Sequence, residues 1–463
     1  MVSKAGRRPP AIGIIGGGFT GAAIAWNLAR ESGVAARIIV VEPRERLGGG
    51  LAYSSRDPAF RINVPAAKMS LDPDDIEDFA RWVETVGAVD DDAAARLDDG
   101  RVFPQRSEFG RYVAERLLPF LANGVVEHRR ASALGAKRTE GGFRVELDDG
   151  TALDVDRLVL AVSHPPPQPP ERLRFAFSGH PKFVADTTTP GALAVVHPDD
   201  RVLVVGTGLT GADVIASLDR RGHRGPITAI ARRGLRSKGH APFAQEQTGD
   251  FTTKPATTTL QLLKCIRAEV AAVEARGLTW HAVLDAVRTQ GPAIWAALPL
   301  AERRRLVRHL RAYWDVHRFR VAPQVEAALD RRIAAGGLDL FAASIAGAEL
   351  QDDVFEVALR RRRLSEVVSH HFDSVLVATG PAHGAILETA PLLIDLARQG
   401  LVKADPVGLG IATDEQGHAI GADGTPVDTL FIGGPLARGT FGELMGLPEV
   451  AAYAKRVAEA LGR

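Results

Sequence analysis

Two stretches of this chain carry the residue types and spacing of a phosphate cradle. Residues 11–33 read AIGIIGGGFTGAAIAWNLARESG, and residues 201–222 read RVLVVGTGLTGADVIASLDRRG. Each is an aliphatic run, then G-x-G-x-x-G, then a helical pattern. In such a loop the first glycine permits the tight turn and the second lets a pyrophosphate approach the backbone. The third lets helix and strand pack closely, and the helix N-terminus faces the anion. Gly16, Gly18 and Gly21 form the first set; Gly206, Gly208 and Gly211 form the second. The informative residue is the one that closes the following strand. Glu42 stands twenty-one residues beyond Gly21, and Arg232 stands twenty-one beyond Gly211, followed by Arg233. A carboxylate there accepts hydrogen bonds from ribose hydroxyls, whereas a guanidinium pairs with a 2′-phosphate. Opposite charge at one position predicts two different nucleotides: FAD in the first cradle and NADPH in the second. If Arg232 and Arg233 are instead an ordinary basic surface pair, the second cradle prefers NADH or binds nothing.

The elements that must position these residues are also legible. AIGIIG reads as a buried parallel strand, AAIAWNLARESG as a helix ending at Gly33, and ARIIVVEP as a second strand. RVLVVG, ADVIASLDRRG and ITAIARR repeat that βαβ unit. Residues 141–164 and 354–380 then repeat a second pattern, a meander followed by a returning apolar strand. The fold class expected is α/β, with two Rossmann-like dinucleotide-binding domains and a helical insertion. Residues 1–165 are expected to form the first part of an FAD-binding domain. Residues 166–380 form an NADPH-binding domain with a helical insertion at about 240–337, and 381–463 return to the FAD-binding domain. The proline run HPPPQPP from His164 to Pro170 reads as a stiff linker.

Composition narrows the function classes. The formal charge is +1, so bulk electrostatics suggests no polyanion partner. The single cysteine, Cys265, excludes an internal disulfide, a C-x-x-C redox pair and a cysteine-cluster metal site. No H-E-x-x-H motif, serine nucleophile elbow or interleaved basic and aromatic patch is present, so neither a metal role nor nucleic-acid binding is expected. MVSKAGRRPP followed by apolar residues resembles a signal peptide, even a twin-arginine one. Cleavage there would destroy the first glycine motif, so a cytoplasmic protein without a membrane span is expected. A homo-oligomer is left open.

Several further motifs resemble the two-dinucleotide-domain FAD/NAD(P)-binding flavoproteins that include proposed urate hydroxylases and the nitrosuccinate-forming amine monooxygenases. They are GGGFTG, GGGLAYSSRDPAFRINVPAAKMS at 48–70, GTGLTGADV with ARRGLRSKGH, RHLRAYWDVHRFRVAP at 308–323, VLVATGP and GGPLARGTFGELMGLPE at 433–449. The resemblance covers nearly the whole chain. It implies that Gly48, Gly49 and Gly50 continue the FAD pyrophosphate contacts and that RINVPAAKMS runs beside the flavin, with Asn63 and Lys68 as candidate flavin neighbours; Gly380 and Gly433, in VLVATGP and GGPLARG, are further cofactor-binding candidates. His240 is a candidate for the mouth of the nicotinamide site. Two departures stand out. The last strand ends GGP, without the aspartate that often holds the ribityl chain. FSGHPKF has Phe183 where a Baeyer–Villiger fingerprint needs histidine.

The resemblance implies hydride transfer from NADPH to the flavin, followed by oxygen transfer from a C4a-hydroperoxyflavin to a small amine, amino-acid or heterocyclic substrate with O₂ as co-substrate. One alternative is a reductase passing electrons to an acceptor; another is a non-catalytic regulatory flavin-binding protein. Substrate choice is expected in the helical insertion. There Leu306, Leu310, Tyr313, Trp314 and His317 form one helical stripe, with Arg308, Arg311, Asp315 and Arg318 mostly opposite. A packed stripe beside a solvated Arg311–Asp315 pair is one reading. Arg320 and His317 binding a substrate carboxylate is the other, with Arg438 and Glu443 as a second pair of candidates.

Overall fold

A computed structural model describes residues 9–31, 36–162, 165–364, 366–380 and 385–463. Gly33, His164 and most of the basic N-terminal stretch lie outside the described residues. The chain forms two compact units. The first comprises Met1–Ser55, Pro65–Pro165 and His383–Arg463; the second comprises Arg56–Val64 and Pro166–Ala382. The short segment Arg56–Val64 therefore belongs with the second unit, although the sequence on both sides of it belongs to the first.

In the first unit, β1 (Ala11–Ile15) and β2 (Arg37–Val41) are continuous aliphatic runs, buried but for Arg37. That pattern suits a parallel sheet covered on both faces. Then come β3 (Val126–Arg129), β4 (Ala133–Thr139), β5 (Gly142–Leu147), β6 (Ala152–Val155) and β7 (Arg157–Leu160). β1 lies between β2 and β7, all parallel, while β4, β5 and β6 form a separate antiparallel meander. The helix Phe19–Arg30 buries Ala22, Ala23 and Ala25, small side chains that allow close approach. Phe79, Trp82, Phe109 and Tyr112 pack with ring centroids 4.9–5.8 Å apart, fixing the helices Asp78–Thr85 and Arg106–Ala122.

The second unit repeats the plan with β8 (Phe183–Val184), β9 (Val202–Val205), β10 (Ile227–Ala231), β11 (Leu338–Gln351), β12 (Val354–Arg361), β13 (Val367–Phe372) and β14 (Ser374–Val377). The sheet order is β13-β12-β11-β10-β9-β14-β8. Here one long strand, β11, does what β3 and β4 do separately. Its first five residues pair parallel with β10, and the rest pair antiparallel with β12. Phe183 packs edge-on against Phe177 at 5.8 Å, so the position where a histidine fingerprint would fall is core.

The helical insertion has its own core of Phe251, Leu262, Val273, Val283, Val287, Ile294 and Leu298. The expected single stripe over 306–317 does not form. The chain turns at Leu310, between the helices Leu300–His309 and Arg311–Arg318, and the turn resets the helical phase. Leu306 and Trp314 reach the core, Tyr313 is 44% exposed, and Val316 and Arg318 are buried. The Arg311–Asp315 pair does form, at 3.3 Å.

The last segment completes the first unit with β15 (His418–Ile420) and β16 (Pro426–Ile432), giving the order β15-β16-β7-β1-β2-β3. The terminal helix Glu449–Gly462 packs on Phe19–Arg30. Among the described residues no helix is long and apolar enough to cross a membrane.

Candidate functional site

The two glycine loops are built alike. Gly16 N–H donates to the Val41 carbonyl at 2.9 Å, and Gly206 N–H donates to that of Ile230 at 2.8 Å. Both glycines have positive φ, 99° and 120°. A Cβ would lie 2.4 Å from the Ala161 carbonyl oxygen at Gly16 and 2.1 Å from that of Ala378 at Gly206. The third glycines are closed from beneath. A Cβ on Gly21 would meet the Gly16 carbonyl oxygen at 1.9 Å, and one on Gly211 the Gly206 oxygen at 2.1 Å. Only glycine fits these four positions. The middle glycines differ: Gly208 faces open space, whereas Gly18 faces Gly50, whose Cα lies 3.3 Å from a Cβ built there. Both loops leave the N-termini of the helices Phe19–Arg30 and Leu209–Arg220 without a side-chain cap. Uncapped N–H groups behind a glycine turn suit a pyrophosphate.

Glu42 and Arg232 are each the first residue after a five-residue strand, so the reversed charges occupy matched places. Glu42 is buried, 3% exposed, and committed. Its Oε2 accepts from Gly17 N–H at 2.9 Å, and its Oε1 from Arg44 N–H at 3.1 Å and Arg44 Nη1 at 2.9 Å. That approach depends on Gly17, where a Cβ would come within 2.7 Å of the Glu42 Cβ. The second loop carries Thr207 instead, and its hydroxyl donates to the Leu235 carbonyl at 2.5 Å. Here the chain after the strand is tied by a hydroxyl, not a carboxylate. Arg232 is exposed and makes no hydrogen bond or ion pair among the described residues. Arg233 is held: Nη1 donates to the His309 carbonyl at 3.0 Å and the guanidinium lies 4.8 Å from the Tyr313 ring. Of the two, Arg232 alone is unengaged.

The first unit also holds Gly48, Gly49, Gly50, Lys68 and Gly433. Gly48 N–H donates to Gly17 O at 2.7 Å, joining the second glycine run to the first. Lys68 ends the short turn Ala66–Lys68 and is exposed. Gly433 N–H donates to Leu160 O at 2.8 Å, so GGP stands at the strand ends beside β7, with no carboxylate there. Arg438 and Glu443 are both buried, at 4% and 5% exposure.

Asn63 lies in the second unit, apart from Lys68 in the chain's division. Its Oδ1 accepts from Ala322 N–H at 3.3 Å, and its carbonyl accepts from His240 Nε2 at 3.1 Å. Arg320 is engaged by Asp285, at 2.6 and 3.2 Å, and lies over Trp280. His317 Nδ1 contacts the Tyr313 carbonyl at 2.7 Å and meets the Trp280 ring edge-on at 4.8 Å. Arg320 and His317 are thus brought together, around an aromatic ring that the sequence reading did not single out. Gly380 follows β14 with φ 76° and open space where a Cβ would be.

Other partners were also missed. Asp57 accepts from Ser217 Oγ at 2.5 Å and pairs with Arg221 at 3.4 Å, docking its segment on the helix Leu209–Arg220. Arg236 pairs with Asp330 at 2.7 Å. These contacts join residues far apart in sequence and leave no periodic signal. Among the described residues no group of three or more His, Cys, Asp or Glu side chains is placed to hold a metal ion.

Residues 13–165 match a family model described as FAD-NAD(P)-binding. No curated protein sequence matches the chain. Solved structures do. The L-lysine 6-monooxygenase of Pseudomonas syringae is 19% identical with TM-score 0.64, over 98% of this chain and 99% of that one. The ornithine N-hydroxylase of Kutzneria sp. 744, with reduced FAD, NADP+ and L-ornithine, is 15% identical with TM-score 0.64, over 98% and 99%. The thioredoxin reductase of T. acidophilum is 13% identical with TM-score 0.53, over 97% of each chain. This is the two-dinucleotide-domain flavoprotein fold. The fold spans both monooxygenases and disulfide reductases, so fold alone does not choose a reaction.

Proposed function

We propose that this chain is an FAD-dependent, NADPH-using monooxygenase that N-hydroxylates a small amine or amino acid. The observation that carries its two-cofactor basis is the charge reversal at matched strand ends: buried Glu42 after β2, and after β10 Arg232, exposed and unengaged among the described residues. When bound, the flavin supplies hydride acceptance from reduced nicotinamide and oxygen transfer from O₂ to a nucleophilic nitrogen. The chain's own residues bind and orient. Gly16, Gly18 and Gly21 with Gly48, Gly49 and Gly50 admit the FAD pyrophosphate to the backbone. Glu42 holds Gly17 in place and offers its remaining lone pair to the adenosine ribose. Gly206, Gly208 and Gly211 do the same for the NADPH pyrophosphate, with the Arg232 guanidinium available to its 2′-phosphate. The likeness to lysine and ornithine hydroxylases supports an aliphatic amine carrying a carboxylate. Because the chain has only Cys265, the dithiol shuttle of disulfide reductases is unsupported.

The deciding experiment purifies the protein, reads its flavin spectrum, and follows NADPH and NADH oxidation in air with a panel of amines, amino acids and purines. An amine that raises NADPH consumption and gains one oxygen atom on nitrogen is the expected result. NADPH consumption yielding only hydrogen peroxide, whatever the amine, would favour an electron-transfer reductase. No flavin and no NADPH oxidation would remove the enzymatic reading.

A further inference from the structure

A second arginine-bearing turn lies one strand away from the end of β10. Residues 360–363 are four consecutive arginines, at the end of β12 and in the turn that follows, and all four are exposed. Arg361 stands opposite Ala343 of β11, while Ala342 stands opposite Ala231, the residue just before Arg232. Arg362 N–H donates to the Ala342 carbonyl at 2.9 Å. The turn after Arg232 touches the same residue, since a Cβ on Gly234 would lie 2.6 Å from the Ala342 nitrogen. Ala342 is therefore in contact with both arginine-bearing turns.

Arg361 continues the core-facing register of Phe355, Val357 and Leu359 but lies past the core's edge. Its guanidinium rests over the Phe341 ring at 4.2 Å, and Phe341 stands opposite Ile230 of β10. Cation–π contact holds that charge at the sheet edge. Arg236 is neutralised by Asp330, but Arg232, Arg360, Arg361, Arg362 and Arg363 make no ion pair among the described residues. Like charges gathered without carboxylates repel one another, and a bound dianion removes that repulsion.

We propose that Arg361 and Arg362, together with Arg232, hold the adenosine 2′-phosphate of NADPH from two places, the turn after β10 and the end of β12 with the turn that follows it. The proposal rests on the NADPH reading above and adds residues that follow no glycine motif. Calorimetric titration of the full-length flavin-loaded protein with 2′,5′-ADP and with 5′-AMP isolates the 2′-phosphate contribution. R361Q/R362Q should weaken 2′,5′-ADP by about tenfold or more while leaving 5′-AMP unchanged, as expected for loss of charge-assisted bonds to phosphate. R361K/R362K should recover part of the affinity, because the charge is kept and the planar fork is lost. Unchanged 2′,5′-ADP binding in R361Q/R362Q overturns the proposal, as does an equal loss for both nucleotides. If the unaltered protein binds 2′,5′-ADP no more tightly than 5′-AMP, the NADPH reading itself fails, and that outcome is distinct.

Discussion

Glu42 and Arg232 occupy one position in two copies of the same loop, and their surroundings explain why each should matter differently. Glu42 is buried and accepts three hydrogen bonds, one from Gly17 in the glycine loop and two from Arg44 in its own, so its loss damages the cradle itself. Glu42→Ala strands the Gly17 N–H and should cost about 1–3 kcal/mol, seen as a lower thermal midpoint and as flavin lost on gel filtration. Arg232 supports nothing else among the described residues. Arg232→Ala should leave the melting temperature unchanged, raise the KM for NADPH about tenfold, and leave that for NADH alone. Arg233→Ala separates the two arginines' roles. Because Arg233 binds the His309 carbonyl and faces Tyr313, its loss should weaken NADPH less than the loss of Arg232 and lower stability more. Equal NADPH and NADH responses in Arg232→Ala would return that residue to an ordinary surface role.

At the level of elements, the glycine loops were legible because their signal is local: aliphatic run, three glycines, helix, strand end. The meanders were legible for the same reason. What escaped was whatever depends on a break in periodicity or on distant partners. The stripe over 306–317 failed at Leu310, where no glycine or proline marks the turn. Arg320 could be chosen as a cationic candidate, but Asp285, which engages it, sits on the helix Trp280–Thr289 at no regular spacing. The neighbouring His281 illustrates what such packing does. Thr279 Oγ1 lies 2.7 Å from its Nδ1, and its Nε2–H donates to the Gly239 carbonyl at 3.2 Å. Burial, and then the nearby Arg320 charge, push its pKa down to about 4. An unfolded histidine titrates near 6.5, so below that pH the unfolded chain takes up a proton that the folded one refuses. The stability involved is intact above about pH 6.5 and is lost as pH falls toward 4. Thermal midpoints should drop between pH 7 and pH 5, and His281→Gln should flatten that dependence.

Across the whole molecule, the duplicated plan could be read from composition and order, and so could the exclusion of a dithiol shuttle. Cys265 is exposed on the helix Thr259–Glu274. Cys265→Ser should retain flavin content and NADPH oxidation in full, measured side by side with the unaltered protein. A loss of turnover would reopen a thiol-based reaction. The division into units was less legible in one respect. Nothing in GGGLAYSSRDPAFRINVPAAKMS marks where the chain passes from one unit to the other, because hydrophobic pattern reports burial and not which core does the burying.

The short stretch Arg56–Val64 has a consequence for recombination. Ser217 finds its acceptor in Asp57, and the Ala322 amide finds its own in Asn63, so the second unit is encoded in two pieces of the gene. A graft of residues 166–382 onto a foreign flavin module would inherit an orphaned hydroxyl and an orphaned amide. Shuffling at that boundary should yield sound chimaeras only when the small upstream patch travels with its host.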